Sequence, residues 1–550
     1  MQIDIYAHNN ALLQHFSSAT SVKLHEELLK NSGGKLEIKT LVPILELTSV
    51  WYPALSAMPA MKLPWVVSFS CGATKNFPLV CFLDQKGSVS TAVGLSNMID
   101  DCSVTAKMNQ EACAYELTFS IVIAKETAPF EIFVDVPATG SRKSTLSETL
   151  SRYRKMVMPA IPVYPENAWK SVYCTWYAVH AALTDEYMLR NGKEAADLGF
   201  GTFIVDDGWC FDEAKRVTPS TLPDWYRDIG DWEYSEKKLP AIKQNVKKLR
   251  EYGLSCLFWV APFFCGRRSK LASMTEEYLT ELHEGERIYD VKNSSVTEKV
   301  MKSIYSVYKE LDLDGLKIDF VDEIQPDTEN PRCRIAYTAL KNLISKVRSY
   351  KKDALIEFRQ SYTTPLMASL ATAFRAGDVP FDYMENFSRC VQIRLLMGDK
   401  IPVHADPVYF NAGESVEAVG RHLVASLAGV PMVSMELSGI REEHKKVIKN
   451  YLTFYRDKQK ILNNGHWEFD FCNNFPASVS CTLIPEKEKI IILTNGEYLA
   501  KVLKEDFSGE LTILNMSLEN IPVYEGVAFD AQGIKSGCIL PSGGRLVIKK

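Results

Sequence analysis

Carboxylates recur at the ends of apolar runs in the middle of this chain. Asp206 and Asp207 close FGTFIVDD, Asp319 nearly closes LDGLKIDF, and Glu357 lies within ALIEFRQ; Asp378, Asp406 and Glu436 fall at or near the ends of AFRAGDV, IPVHAD and VPMVSMEL. Two carboxyl groups facing across a pocket suit glycosidic-bond chemistry, in which one attacks the anomeric carbon or activates water while the other protonates the leaving oxygen. Asp319 and Asp378 are the favoured pair, expected about 5 to 5.5 Å apart if the reaction is a double displacement. Lys317 stands two residues before Asp319, on the same face of a strand, and favours the ionised carboxylate there. Asp378 must hold a proton to act as an acid, which requires burial or a neighbouring negative charge to raise its pKa. Arg375 would have the opposite effect in contact, so it is assigned to substrate hydroxyls or to the nucleophile. Glu357 either binds substrate or pairs with Arg359, and the residues leave both open. Asp206 and Asp207 bind substrate or cap the next helix. His404 and Asp406 form a lone HxD, which reads as a hydrogen-bonded strand end and not as a metal pair.

Parallel strands would bring such residues together. From about residue 163, apolar runs at 171–179, 200–207, 254–262, 313–320, 354–360, 373–379, 401–406 and 430–437 alternate with helix-period segments. Eight of them predict an α/β fold, a (β/α)8 barrel whose chemistry sits at the carboxyl ends of the strands. One helix is expected from Pro240 to Gly253, with Ile242, Val246 and Leu249 on its buried face. A second opens on Ser295 and Glu298 at capping-box spacing, and the last runs from Glu442 to Leu462. Before the barrel, short β-rich runs from Leu36 to Pro137 predict a sandwich; after Gly465 similar runs predict a small antiparallel β-domain. The expected boundaries are 1–162, 163–464 and 465–550.

Composition narrows the partners. The 550 residues are 46% hydrophobic, with 63 basic against 68 acidic side chains and a formal charge of −5, which argues against a nucleic-acid binder driven by bulk charge. Thirteen cysteines show no zinc-like spacing and read as reduced thiols. No run reaches the roughly 18 apolar residues of a membrane span. The first twenty residues show no secretory pattern, so the expectation is a soluble cytoplasmic protein, periplasmic or secreted if a leader has been removed. A homo-oligomer is left open.

Five motifs, VDDGW (205–209), GDWEYSEKKLP (230–240), LFWVAPF (257–263), GLKIDF (315–320) and RAGDVPFD (375–382), resemble in order and spacing those of glycoside hydrolase clan D, in particular family 36, the retaining α-galactosidases and their relatives. The resemblance covers about residues 165–440. It implies a retaining double displacement on a terminal galactose or close galacto-configured sugar, with Asp319 as nucleophile and Asp378 as general acid/base. It further implies that Asp206 and Asp207 bind the far hydroxyls of the ring, that Lys317 contacts a hydroxyl near the nucleophile, and that Trp209 lines the pocket. No metal and no organic cofactor is implied, and the partner is an oligosaccharide or glycoside. The sandwich, barrel and C-terminal β-domain order is similar too. Two departures bear on the sugar: IEFRQSYTTP (356–365) replaces a Cys- and Gly-rich segment of the larger bacterial members, and the arginine lies only three residues before Asp378. An α-galactosyl transglycosylase or an α-N-acetylgalactosaminidase would use the same residues. Other classes considered are a metal-dependent lyase using Asp206, Asp319 and Glu357 and a carbohydrate-binding homologue without turnover.

Overall fold

The computed structural model describes residues 1–17, 21–53, 63–138, 140–158, 162–213, 226–274, 279–283, 286–472, 475–484 and 487–550. The eight apolar runs form eight parallel strands: Val172–Cys174, Thr202–Val205, Ser255–Val260, Gly315–Ile318, Leu355–Arg359, Ala373–Arg375, Val403–His404 and Met432–Val433. Each of the first six pairs with its successor, and the eighth pairs with the first. A parallel bridge between His404 and Val430 nearly closes the ring. The fold is therefore a (β/α)8 barrel with β-rich flanks. Helices cover the outer face and side chains fill the inside, so the strands are buried on both faces and read as continuous apolar runs.

Register decides which side chains meet. Trp259, Lys317 and Glu357 are lateral neighbours on the third, fourth and fifth strands. Arg359, Arg375 and His404 are lateral neighbours on the fifth, sixth and seventh. Side chains at paired positions of a sheet point to the same face, so the two rows stack toward the carboxyl end of the barrel.

The helices match the sequence pattern in their buried faces and differ at their ends. Helix Ile242–Glu251 buries Ile242, Val246 and Leu249, and the chain leaves it through Gly253 at φ +88°. Helix Ser294–Glu310 is capped by Asn293, whose side chain accepts the Val296 amide. The expected Ser295–Glu298 capping box is therefore two residues too late; both residues lie inside the helix, and Asn293 is the cap because its short side chain accepts a first-turn amide. The last helix is interrupted at Lys458, giving Glu442–Asp457 and Gln459–Asn464.

The N-terminal sandwich starts at Gln2, earlier than the run at Leu36. One antiparallel sheet holds Gln2–Ala7, Leu12–Ser17, Lys35–Pro43, Val66–Cys71, Cys102–Asn109 and Ala114–Val122. Leu47–Trp51, Leu79–Asp84, Ser88–Leu95 and Phe130–Asp135 belong to the other. Ile5, Ile38, Phe82, Val93 and Phe119 fill the space between them. In the C-terminal region one expectation fails: Glu488–Leu493 and Glu510–Asn515 pair in parallel, so the sheet is mixed and not purely antiparallel. The intervening helix Tyr498–Leu503 supplies the crossover that parallel strands require.

The sandwich grips the segment that follows Asp319. Asp100 accepts two hydrogen bonds from Arg334, each 2.7 Å long. Asp101 accepts the amides of Asp327 at 2.9 Å and Cys333 at 3.1 Å, and the Thr74 hydroxyl donates to the Ile324 carbonyl at 2.6 Å. Among the described residues no helix is long and apolar enough to cross a membrane.

Candidate active site

The second strand ends in a turn that carries two buried carboxylates, Asp206 and Asp207. The Asp206 amide donates to Thr175 Oγ1 at 3.0 Å, the Asp207 amide to Asp206 Oδ1 at 2.9 Å, and the Gly208 amide to Asp207 Oδ1 at 2.6 Å. Gly208 has φ +102°, and a Cβ there would stand 2.5 Å from Ala181 Cα, so only glycine fits. The other Asp206 oxygen accepts Lys317 Nζ at 2.5 Å and the Cys174 thiol at 3.2 Å. Both members of the Lys317–Asp206 pair are buried. Burial alone would lower the Lys317 pKa, but Asp206 outweighs it and keeps the ammonium charged.

Asp319 follows the fourth strand. Its Oδ1 accepts the Phe320 amide at 2.9 Å, and its Oδ2 accepts Trp259 Nε1–H at 3.2 Å. Arg359 Nε lies 3.3 Å from Oδ1, and Arg375 Nη2 lies 3.7 Å from Oδ2. Burial would lift this carboxyl, yet Arg359, Arg375, Lys317 and the Phe320 amide together hold it well below the usual carboxylate range. The next residue, Phe320, adopts φ +54°, a conformation costly for a bulky side chain. Packing over-determines it: its ring meets Phe264 and Tyr226, and the Arg359 guanidinium lies 4.5 Å above it.

Asp378 faces Asp319 across the same two arginines. Arg375 Nη1 donates to Asp378 Oδ1 at 2.8 Å, and Arg359 Nη1 lies 3.8 Å from Oδ2. Each guanidinium thus touches both carboxylates. Their exposures differ: the Asp319 side chain is 7% exposed and that of Asp378 54%, so the first is buried and the second reaches solvent. The expected raised pKa of Asp378 is not found. Burial pushes it up, but Arg375 and then Arg359 outweigh that and hold the carboxyl low. The raised carboxyl is Asp406, which burial pushes up to about 7 against the pull of Arg375.

Of the residues singled out from sequence, Asp206, Lys317, Asp319, Arg375 and Asp378 form one contiguous charge network, and Asp207 adjoins it through the turn. Glu357 lies below this network and is not paired with Arg359. Its Oε2 is 2.5 Å from His404 Nδ1 and its Oε1 is 3.7 Å from Arg375 Nε. Its side chain is 1% exposed and sits beside the Arg375 guanidinium. Trp209 is a packing group, with its indole N–H on the Trp259 carbonyl at 2.8 Å and its ring against Trp232 and Phe258. Trp259 is the indole that reaches Asp319. Its position one strand over from Lys317 was the available signal, and register was needed to use it. Arg359 alternates with Glu357 along the fifth strand, which places both toward the interior. Among the described residues no cluster of three or more His, Cys, Asp or Glu is arranged to hold a metal ion.

A family model named Melibiase matches residues 144–346. Alpha-galactosidase AgaA of Geobacillus stearothermophilus is 22% identical over 325 residues, which is 53% of this chain and 41% of that protein. The alpha-galactosidase of Escherichia coli is 27% identical over 133 residues, 24% of this chain and 18% of that protein. The chain thus spans less than half the length of these two relatives in the matched regions. Solved structures share the fold over far more. The galactosidase domain of the alpha-galactosidase–sucrose kinase AgaSK matches 97% of this chain and 84% of its own, with a TM-score of 0.65 at 12% identity. GH36 alpha-galactosidase AgaA from Geobacillus stearothermophilus, in complex with raffinose, matches 99% and 88% with a TM-score of 0.67, also at 12% identity. In fold this chain is similar to GH36 alpha-galactosidases, and the Melibiase family model matches it over residues 144–346.

Proposed function

We propose that this chain is a retaining exo-glycosidase that releases a terminal α-linked galactose, or a close galacto-configured sugar, by double displacement. One observation carries the reading: Arg359 and Arg375 each contact both Asp319 and Asp378, which brings the two carboxylates together at the carboxyl end of the barrel. Ionised Asp319 attacks the anomeric carbon while the bond to the leaving oxygen breaks, its electron pair going to that oxygen. Asp378 donates the proton that oxygen needs. Water then attacks the glycosyl ester from the vacated side and gives a proton to Asp378, and Asp319 is released.

The free-state charge of Asp378 fits this cycle once a sugar is bound. Substrate covers its half-exposed side chain and removes water, which disfavours the charged form and draws a proton on. Formation of the ester then removes the Asp319 charge that had also favoured protonation, so the Asp378 pKa falls and the carboxylate stays ionised, ready to accept the proton of the attacking water. The Asp206–Lys317 pair supplies both an acceptor and a donor for ring hydroxyls. The printed activities of the relatives, and the raffinose and stachyose bound to AgaA, support a galacto-configured end group of an oligosaccharide. Asp206 and Asp319, proposed above as metal ligands in a lyase, are instead compensated by cationic side chains, which favours the glycosidase reading.

The test is a panel of aryl α-glycosides (galactoside, N-acetylgalactosaminide, arabinopyranoside, glucoside) with wild type and Asp319→Ala. Turnover of one galacto-configured member is expected, with a loss of several orders of magnitude in the variant, partial rescue by azide, and the α-anomer as the first-formed product. Equal turnover by the variant, or a β-anomer from wild type, would overturn the reading.

A further inference from the structure

Asp406 lies just beyond the seventh strand, is fully buried, and has no role in the steps above. Its two oxygens hold both flanks of Asp378. Oδ1 accepts Arg375 Nη1 at 2.5 Å, from the same nitrogen that donates to Asp378 Oδ1. Oδ2 accepts the Val379 amide at 2.8 Å, in the peptide that follows Asp378, and the Tyr177 hydroxyl at 3.1 Å. The backbone of Asp406 is itself fixed: its amide donates to Asn386 Oδ1 and its carbonyl accepts Asn386 Nδ2, both at 2.9 Å.

We infer that Asp406 is a positioning residue for proton transfer by Asp378: it takes a share of the Arg375 charge and pins the Asp378–Val379 peptide, leaving the Asp378 carboxyl free to hold and deliver the leaving-group proton. The inference rests on the reading of Asp319 and Asp378 as the reacting pair. It concerns a fully buried carboxylate, which acts through Arg375 and the loop.

The charge argument can be followed with its sign. Asp406 is faced by Arg375 and Asp378 from the sixth strand and its loop, by Tyr177 from the short helix Trp176–Val179, and by Lys317 from the fourth strand. Asn386, on helix Tyr383–Met397, faces it without charge. Burial raises the Asp406 pKa to about 7, so Asp406 is negative on the alkaline side of that value, and there it competes with Asp378 for Arg375. With that charge deleted, Arg375 interacts with Asp378 alone, the acid loses its proton more readily, and the alkaline limb of the rate profile moves to lower pH.

The experiment compares wild type, Asp406→Asn and Tyr177→Phe as full chains, using two substrates built on whichever sugar the panel above identifies. An alkyl α-glycoside needs its leaving oxygen protonated; a 2,4-dinitrophenyl α-glycoside does not. Asp406→Asn is expected to lose at least about tenfold more kcat/KM on the alkyl substrate than on the activated one, a fraction of the usual general-acid contribution. Its alkaline limb is expected at lower pH than in wild type, and Tyr177→Phe should shift both measures the same way by less. Should Asp406→Asn fail to fold, Tyr177→Phe decides the matter alone. Equal losses on the two substrates with an unmoved alkaline limb would overturn the inference and leave the glycosidase standing. A wild-type chain inert on both substrates and on the whole panel would overturn the glycosidase reading, and this inference with it.

Discussion

Arg359 shows how much one side chain can decide. Its guanidinium lies near Asp319 and Asp378 and donates to Asp322 at 2.8 Å. It is also the first of the cations that keep Asp319 ionised against burial. Because the folded-state pKa of Asp319 is depressed, the stability this pairing contributes is present above the ordinary carboxylate value of about 4 and is lost as pH falls through the depressed one. Replacing Arg359 by Met removes that support, so the acid limb of kcat/KM is expected to move to higher pH by about one unit or more; an unchanged limb would show that Arg375 and Lys317 suffice. Asp319 and Lys317 were legible in the sequence because their two-residue spacing puts them on one strand face. The charge state of Asp378 was not, because local sequence offered Arg375 as a neighbour without saying where its fork pointed. Only the close approach of the sixth and seventh strands shows that it spans Asp378 and Asp406.

At the scale of elements, strand and helix identity followed from burial periodicity, and the ends did not. All eight barrel strands lie within the apolar runs that marked them, yet two are only two residues long in hydrogen-bonded pairing. The cap of helix Ser294–Glu310 is the clearest case. Ser295 and Glu298 carry capping-box spacing, but Asn293 lies two residues earlier with the extended backbone a cap needs, φ −76° and ψ 92°, and takes the Val296 amide. Asn293→Ala is expected to cost about 1 kcal/mol in urea unfolding, whereas Ser295→Ala should stay within about 0.5 kcal/mol. Equal costs would contradict the assignment. The parallel pair in the C-terminal sheet was hidden for a related reason: a six-residue crossover helix, Tyr498–Leu503, is shorter than the stretch over which helical periodicity becomes visible.

For the whole molecule, the order of β-rich, alternating and β-rich segments was plain from the grammar of the chain, and the contacts between them were not. The link from the sandwich to the barrel runs from Thr74, Asp100 and Asp101 to residues 324–334, some 230 positions away, a separation no local pattern reports. Those contacts anchor the segment just beyond Asp319, so the intact chain is the form in which its reactivity is to be judged. The most direct measurement is to incubate it with a 5-fluoro-α-galactosyl fluoride, which slows release of the glycosyl ester, and to map the adduct by peptide mass spectrometry. A single galactosyl label on Asp319 is predicted. A label on Asp378, Asp406 or any other residue, or turnover of α-galactosides with no covalent label, would contradict the central claim.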